Sequence, residues 1–187
     1  MQNLSEFLPV IIYVLLFAGI KLSERFFLTR PENTIRREWG DWTVWFILIP
    51  LWLVLIGPVL EFFVLDRRPE VVDMIAGGML FIAAGFFAIK GYFDLQHGFT
   101  QAIEDENTSL VVTGLYHVIR HPISLGNVLF CVACPLFLAA GPSWIAALVC
   151  ILGIVFRISV EESFLQTHIP DYKTYKKRTW ALIPYIY

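Results

Sequence analysis

Two stretches of this sequence concentrate the residue types that do chemistry. The first is Leu110-Val111-Val112-Thr113-Gly114-Leu115-Tyr116-His117-Val118-Ile119-Arg120-His121-Pro122 and the second is Arg157-Ile158-Ser159-Val160-Glu161-Glu162. A guanidinium fork suits a carboxylate or phosphate, an aromatic face such as Tyr116 suits a cation, and imidazole or carboxylate groups can move protons. Gly114 marks a turn whose backbone can approach a ligand, and Pro122 fits the first turn of a helix, where a missing N–H costs nothing. Cys131 and Cys134 form a CxxC, but no second ligand pair accompanies it. With Cys150 they lie in apolar runs and read as small buried hydrophobes, so no metal site is expected.

Each of these residues also has a plainer reading. Arg120 and His121 could be interfacial side chains snorkelling to headgroups. Arg157 and Glu161, four apart on one helix face, could be an ordinary ion pair worth a few tenths of a kcal/mol. Their convergence argues otherwise, because ionisable groups near membrane depth are expensive and tend to mark function.

The elements that position them are set by composition. Of 187 residues, 57% are apolar and 16% charged, against about 25% charged in an ordinary soluble domain. The net charge of −2 offers no basic face for nucleic acid. Apolar runs at Leu4–Leu22, Trp42–Leu65, Met74–Phe93, Leu125–Ala140 and Trp144–Val160 approach the roughly 20 residues that cross a bilayer. The first lacks the basic flank of a signal peptide and reads as a retained span. Only Gly141-Pro142-Ser143 separates the last two, which predicts a tight helical hairpin. Gly77, Gly78, Ala84, Gly85 and Ala88 recur at helical spacing in the third run and suit close helix approach. The sequence thus predicts an all-α, multi-pass integral membrane protein with five transmembrane helices and a C-terminal segment in the cytosol. It is a single domain over 1–187, with three spans in 1–93 and the chemistry in 94–187. No G-x-G-x-x-G, P-loop, G-x-S-x-G or H-E-x-x-H motif is present, so a cofactor pocket must be built from helices and their cytosolic ends.

The order of motifs resembles the isoprenylcysteine carboxyl methyltransferase family over about the last 90 residues. Leu110, Val111, Gly114 and Tyr116 give LVxxGxY; Arg120, His121 and Pro122 give RHP. A short helical hairpin leads to Arg157, Glu161, Glu162 and Leu165 as RxxxEExxL, then to Tyr172 and Tyr175, then to Ile183 and Pro184. The resemblance implies S-adenosylmethionine as cofactor and a lipophilic or prenylated acceptor held at the membrane lipid. It places Leu110, Val111, Gly114, Tyr116, Arg120, His121, Pro122 and Glu162 at the cofactor and Arg157 and Glu161 at the reacting groups. A carboxylate acceptor needs only an orienting cation such as Arg157; an amine would need a base among His121 and the two glutamates. Three departures from the family pattern bear on the acceptor: Ser124 two residues after RHP, Thr108 before the Leu-Val pair, and His168-Ile169-Pro170 before Tyr172.

Other readings share part of this pattern. A phospholipid N-methyltransferase would keep the cofactor and change the acceptor. A reductase resembling the sterol reductases would use NADPH, and it fits the Pro-Tyr-Ile-Tyr ending but not Glu161-Glu162. A non-enzymatic scaffold or transporter subunit would need an internal repeat, which is absent in convincing form, or a charge in mid-span, for which Glu61 is the one candidate, and its place near the end of the second run reads as interfacial.

Twelve of the fourteen Lys and Arg residues fall on one side of this five-span scheme, leaving Arg67 and Arg68 on the other. Positive loops stay in the cytosol, so a reporter fused after Tyr187 should be active only in its cytosolic form. Activity of its exported form would overturn the topology.

Overall fold

A backbone immersed in lipid must satisfy its own polar groups, and a helix does so within one segment. The computed structural model follows that rule. It describes residues 4–27, 42–104, 110–169 and 171–184; Arg30, Arg36, Arg37, Thr108, Pro170 and the last three residues lie outside these. After a 3₁₀ turn at Leu4–Phe7 come α1 (Leu8–Phe27), α2 (Trp42–Val64) and α3 (Val71–Glu104). A second 3₁₀ turn at Gly114–His117 precedes α4 (Pro122–Phe137), α5 (Ser143–His168) and the short α6 (Tyr172–Arg178). Among the described residues there is no β-strand, only an isolated bridge between Ile119 and Trp180.

Two stretches, Val71–Gln96 in α3 and Ser143–His168 in α5, are long and apolar enough to cross a membrane. Shorter apolar segments run over Leu8–Ile20, Ile49–Val64 and Pro122–Phe137. The bundle turns Leu15, Ile82, Ile145 and Leu152 outward, a surface that suits lipid rather than water. The third helix departs from its expected end at Phe93, because it continues to Glu104. At 1.5 Å per residue its 34 residues reach about 50 Å, well beyond a hydrocarbon core of about 30 Å.

The last two apolar helices also differ from the expected hairpin. They do touch, but α4 packs chiefly along α3 and α5 chiefly along α2. Small residues explain this choice. A Cβ on Gly126 of α4 would lie 2.8 Å from the Ala84 carbonyl oxygen, and one on Gly77 of α3 would lie 2.6 Å from Phe137 Cα. Backbones this close leave no room for a side chain. Around the seam, Phe81 meets Tyr13, Phe130 and Phe137 at ring separations of 5.7, 5.5 and 5.9 Å, mostly edge to face as aromatic quadrupoles prefer.

Two prolines interrupt α2. Pro58 has no N–H for the Val54 carbonyl, and the Tyr13 hydroxyl comes from α1 to donate to Leu55 O at 2.9 Å beside it. Glu61, near the end of α2, has a structural partner. It is buried and accepts the Gly141 and Ser143 amides at 2.7 and 2.6 Å and the Ser143 hydroxyl. The carboxylate therefore caps the start of α5, where orphan N–H groups and the helix dipole favour an anion.

Gly126→Ala should lower stability by about 1–3 kcal/mol, because its Cβ meets backbone that cannot step aside. Gly19→Ala, with nothing within 4 Å of its Cβ, should not. Thermal unfolding of both variants in detergent checks the pair, and equal melting points would refute a glycine-dependent α3–α4 seam.

Candidate functional site

The site is organised by one carboxylate. Glu162, on the last turns of α5, is buried. Its Oε1 accepts Arg120 Nε at 2.7 Å and lies 3.4 Å from His121 Nε2, while Oε2 pairs with Lys176 Nζ of α6 at 2.7 Å. Arg120 extends the network, for its Nη1 donates to the carbonyls of Lys176, at 3.2 Å, and Thr179. These are carbonyls of the last turn of α6 and the residue that ends it, which are left without intrahelical donors. One guanidinium therefore joins α5 to the end of α6.

The backbone repeats the connection. Arg120 N–H donates to Trp180 O at 2.8 Å, Trp180 N–H to Val118 O at 3.0 Å, and His121 N–H to Ala181 O at 3.1 Å. His121 then stands at the N-cap of α4 and Pro122 in its first turn. The two motif regions expected to meet do meet, with the C-terminal segment laid between them.

The turn ahead of this junction is fixed from two sides. Gly114 has φ +60°, where other residues are strained, and a Cβ there would run into the Asp94 carboxylate. Asp94 Oδ2 accepts Leu115 N–H at 2.8 Å, and Lys90 pairs with Oδ1. From the other side the Tyr175 hydroxyl donates to Tyr116 O at 2.6 Å. Burial, opposed by Arg120 and helped by Glu162, pushes the Tyr175 phenol up to about 12, so it remains a donor throughout the physiological range. Burial also raises the Tyr116 phenol, and Tyr175, Glu161, Tyr92 and Asp94 add to the rise. Glu161 and Asp94 thus both flank Tyr116 with negative charge.

Arg157 and Glu161 differ from their neighbours. Both are half-buried, and neither makes an ion pair or side-chain hydrogen bond among the described residues. The simple Arg157–Glu161 pair does not form. Two deeply buried polar atoms, His121 Nε2 and Tyr172 Oη, also lack a hydrogen-bond partner. Burial and the Glu162 charge raise the Tyr172 phenol, against the opposing pull of Arg120, which sets it close to the same network.

Of the residues expected at the cofactor, Arg120, His121 and Glu162 form one cluster, and Gly114 and Tyr116 share the anchored turn. Val111 is buried and Leu110 partly so, with no polar role in the structure. Asp94, Lys176 and Thr179 went unnoticed in the sequence. Asp94 carried a signal: it is a carboxylate at the end of an apolar run, four residues after Lys90. Lys176 and Thr179 carried none, since only the fold brings α6 under Arg120. Cys131, Cys134 and Cys150 are buried free thiols, and among the described residues no group of three His, Cys, Asp or Glu side chains is placed to hold a metal. A shallow cleft lined by Glu6, Pro9, Phe62, Arg68 and Pro69 lies at the opposite end of α3 and contains none of these groups.

Comparison with known proteins gives one match. Residues 72–171 match the phospholipid methyltransferase family, covering α3 through α5 and every expected site residue. No curated protein and no solved structure matches the chain. The matched family performs methyl transfer, which sets aside the reductase and transporter readings, and the specific resemblance to the isoprenylcysteine enzymes is not part of this match. The chain belongs to the phospholipid methyltransferase family, whose members draw the methyl group from S-adenosylmethionine, and is itself a methyltransferase.

Proposed function

We propose that this methyltransferase moves a methyl group from S-adenosylmethionine to the amine headgroup of a membrane phospholipid, at the cytosolic face of a five-span bundle. The observation that carries the reading is the pair Arg157 and Glu161. They stand one helical turn apart, about 6 Å along the axis, with opposite charges that engage neither each other nor any other described group. A zwitterionic headgroup offers a phosphate to the guanidinium and an ammonium to the carboxylate. Both charges are then satisfied at once.

The residues around them fit the methyl donor. A sulfonium is stabilised by nearby carboxylate and aromatic faces, which Glu161 and Tyr116 supply. An α-amino acid tail offers polar groups to His121 Nε2, which reaches Glu162 only at 3.4 Å, and to Tyr172 Oη, whose unsatisfied burial would otherwise cost about 1–3 kcal/mol. When bound, the donor supplies an electrophilic methyl: an N–C bond forms, the C–S bond breaks with its electrons left on sulfur, and a proton leaves the amine. Glu161 is placed to hold that ammonium and take its proton toward water. The protein's remaining task is to align and to desolvate, which requires no covalent intermediate.

The unpaired Arg157 supports a second reading. A guanidinium with free donors also orients a carboxylate acceptor bidentately, as in the carboxyl methylation of an isoprenylcysteine. Purified protein with methyl-labelled S-adenosylmethionine separates the two. Vesicles of phosphatidylethanolamine should become labelled and a prenylated cysteine should not; the reverse result would establish the second reading and overturn the first.

Arg157→Lys tests the role of the fork itself. Lysine keeps the charge but cannot make the bidentate contact, so turnover should fall about 10²-fold while the S-adenosylmethionine Kd changes less than about threefold. Near-normal turnover, or an equal loss of cofactor affinity, would remove Arg157 from the acceptor.

A further inference from the structure

The geometry points to Asp94 as a positioning residue that sets the affinity for the methyl donor through the Gly114–His117 turn. The inference rests on the reading of that turn as part of the donor pocket. Asp94 is one of few buried charged residues among those described, 6% exposed on α3. A carboxylate in that place is costly unless its contacts repay it. Lys90, one turn earlier, supplies its countercharge, and the remaining oxygen spends its bond on Leu115 N–H at 2.8 Å.

That bond addresses an otherwise open donor. Leu115 is the second residue of the 3₁₀ turn, so its amide has no partner within the turn. The preceding Gly114 is left-handed, and any Cβ there would collide with the carboxylate. The glycine and the aspartate therefore form one device, in which the backbone drops onto α3 at the only residue type that permits it. Tyr116 follows directly, and its carbonyl is held from the far side by Tyr175. Removal of the α3 anchor frees the turn to shift relative to Glu161 on α5, while the Glu162 network that closes the junction stays whole.

A positioning role has a distinct signature. Asp94→Ala should raise the Kd of S-adenosylmethionine about tenfold and that of S-adenosylhomocysteine by the same factor, with kcat at saturating donor within about threefold of the parent. Asp94→Asn keeps an acceptor oxygen for Leu115 and should recover most of the affinity. If the Ala variant fails to fold, Asp94→Ser, whose hydroxyl is too short to reach the amide, replaces it. A loss confined to S-adenosylmethionine, the ligand with the sulfonium charge, would mean that Asp94 acts by its field and would overturn the inference. Unchanged affinity for both ligands, or a fall in kcat with affinity intact, would overturn it as well. Failure of the parent protein to bind either ligand would instead sink the donor-site reading itself.

Discussion

A single buried carboxylate, Glu162, decides how the functional end of this protein is assembled. Taking an anion out of water costs several kcal/mol unless charged and hydrogen-bonding partners surround it. From α5, Glu162 finds them on two segments distant in sequence: Arg120, with His121 Nε2 3.4 Å away beside it, before α4, and Lys176 on α6. None of these segments could bury its charge alone. Once Glu162 is placed, Arg120 is placed, and through Arg120 the end of α6 and the strand-like pairing of Trp180 with the 118–121 segment. The network acts as a unit, and the loss of Glu162 would leave Arg120 an uncompensated buried charge.

The membrane shapes where such networks can lie. Between its ends the bundle is apolar and packs through glycine contacts and aromatic edges, which fix distance but carry no charge. Among the described residues, each end of α5 is held by a buried glutamate. Glu61 of α2 caps its first residues, and Glu162 anchors its last turns. A helix pinned at both ends presents the residues between those pins with little freedom, Arg157 and Glu161 among them. α3 serves the same end by its length, running on to Glu104 and placing Asp94 beneath the Gly114 turn.

Much of this was legible in the sequence, for physical reasons that also mark the limits. Helical class follows from apolar runs of membrane length, and the meeting of Arg120 with Glu162 follows from two motifs at neighbouring helix ends. Small residues at helical spacing in α3 correctly announced a close approach, but not which helix would come. Loop length suggested that α4 would pair with α5, whereas the complementary glycines Gly77 and Gly126 gave α4 to α3. The capping role of Glu61 was hidden because a run of apolar residues does not reveal that another helix begins beside its end. Lys176 was invisible, since its role depends on the path of the chain after α5.

The adjacent glutamates show how such a site divides its labour. Consecutive helix positions lie about 100° apart around the axis, so Glu161 and Glu162 cannot face the same partners. Glu162 turns into the junction and is saturated by cations; Glu161 turns toward Tyr116 and is left open. The saturation of one is what keeps the other available, because Arg120 and Lys176 are already committed and do not collapse onto Glu161. Arg157 shares the face of Glu161 and is spared in the same way. Two opposite charges one turn apart that pair with no described group are what the proposed zwitterionic headgroup would engage, and their electrostatic cost would fall when it arrives.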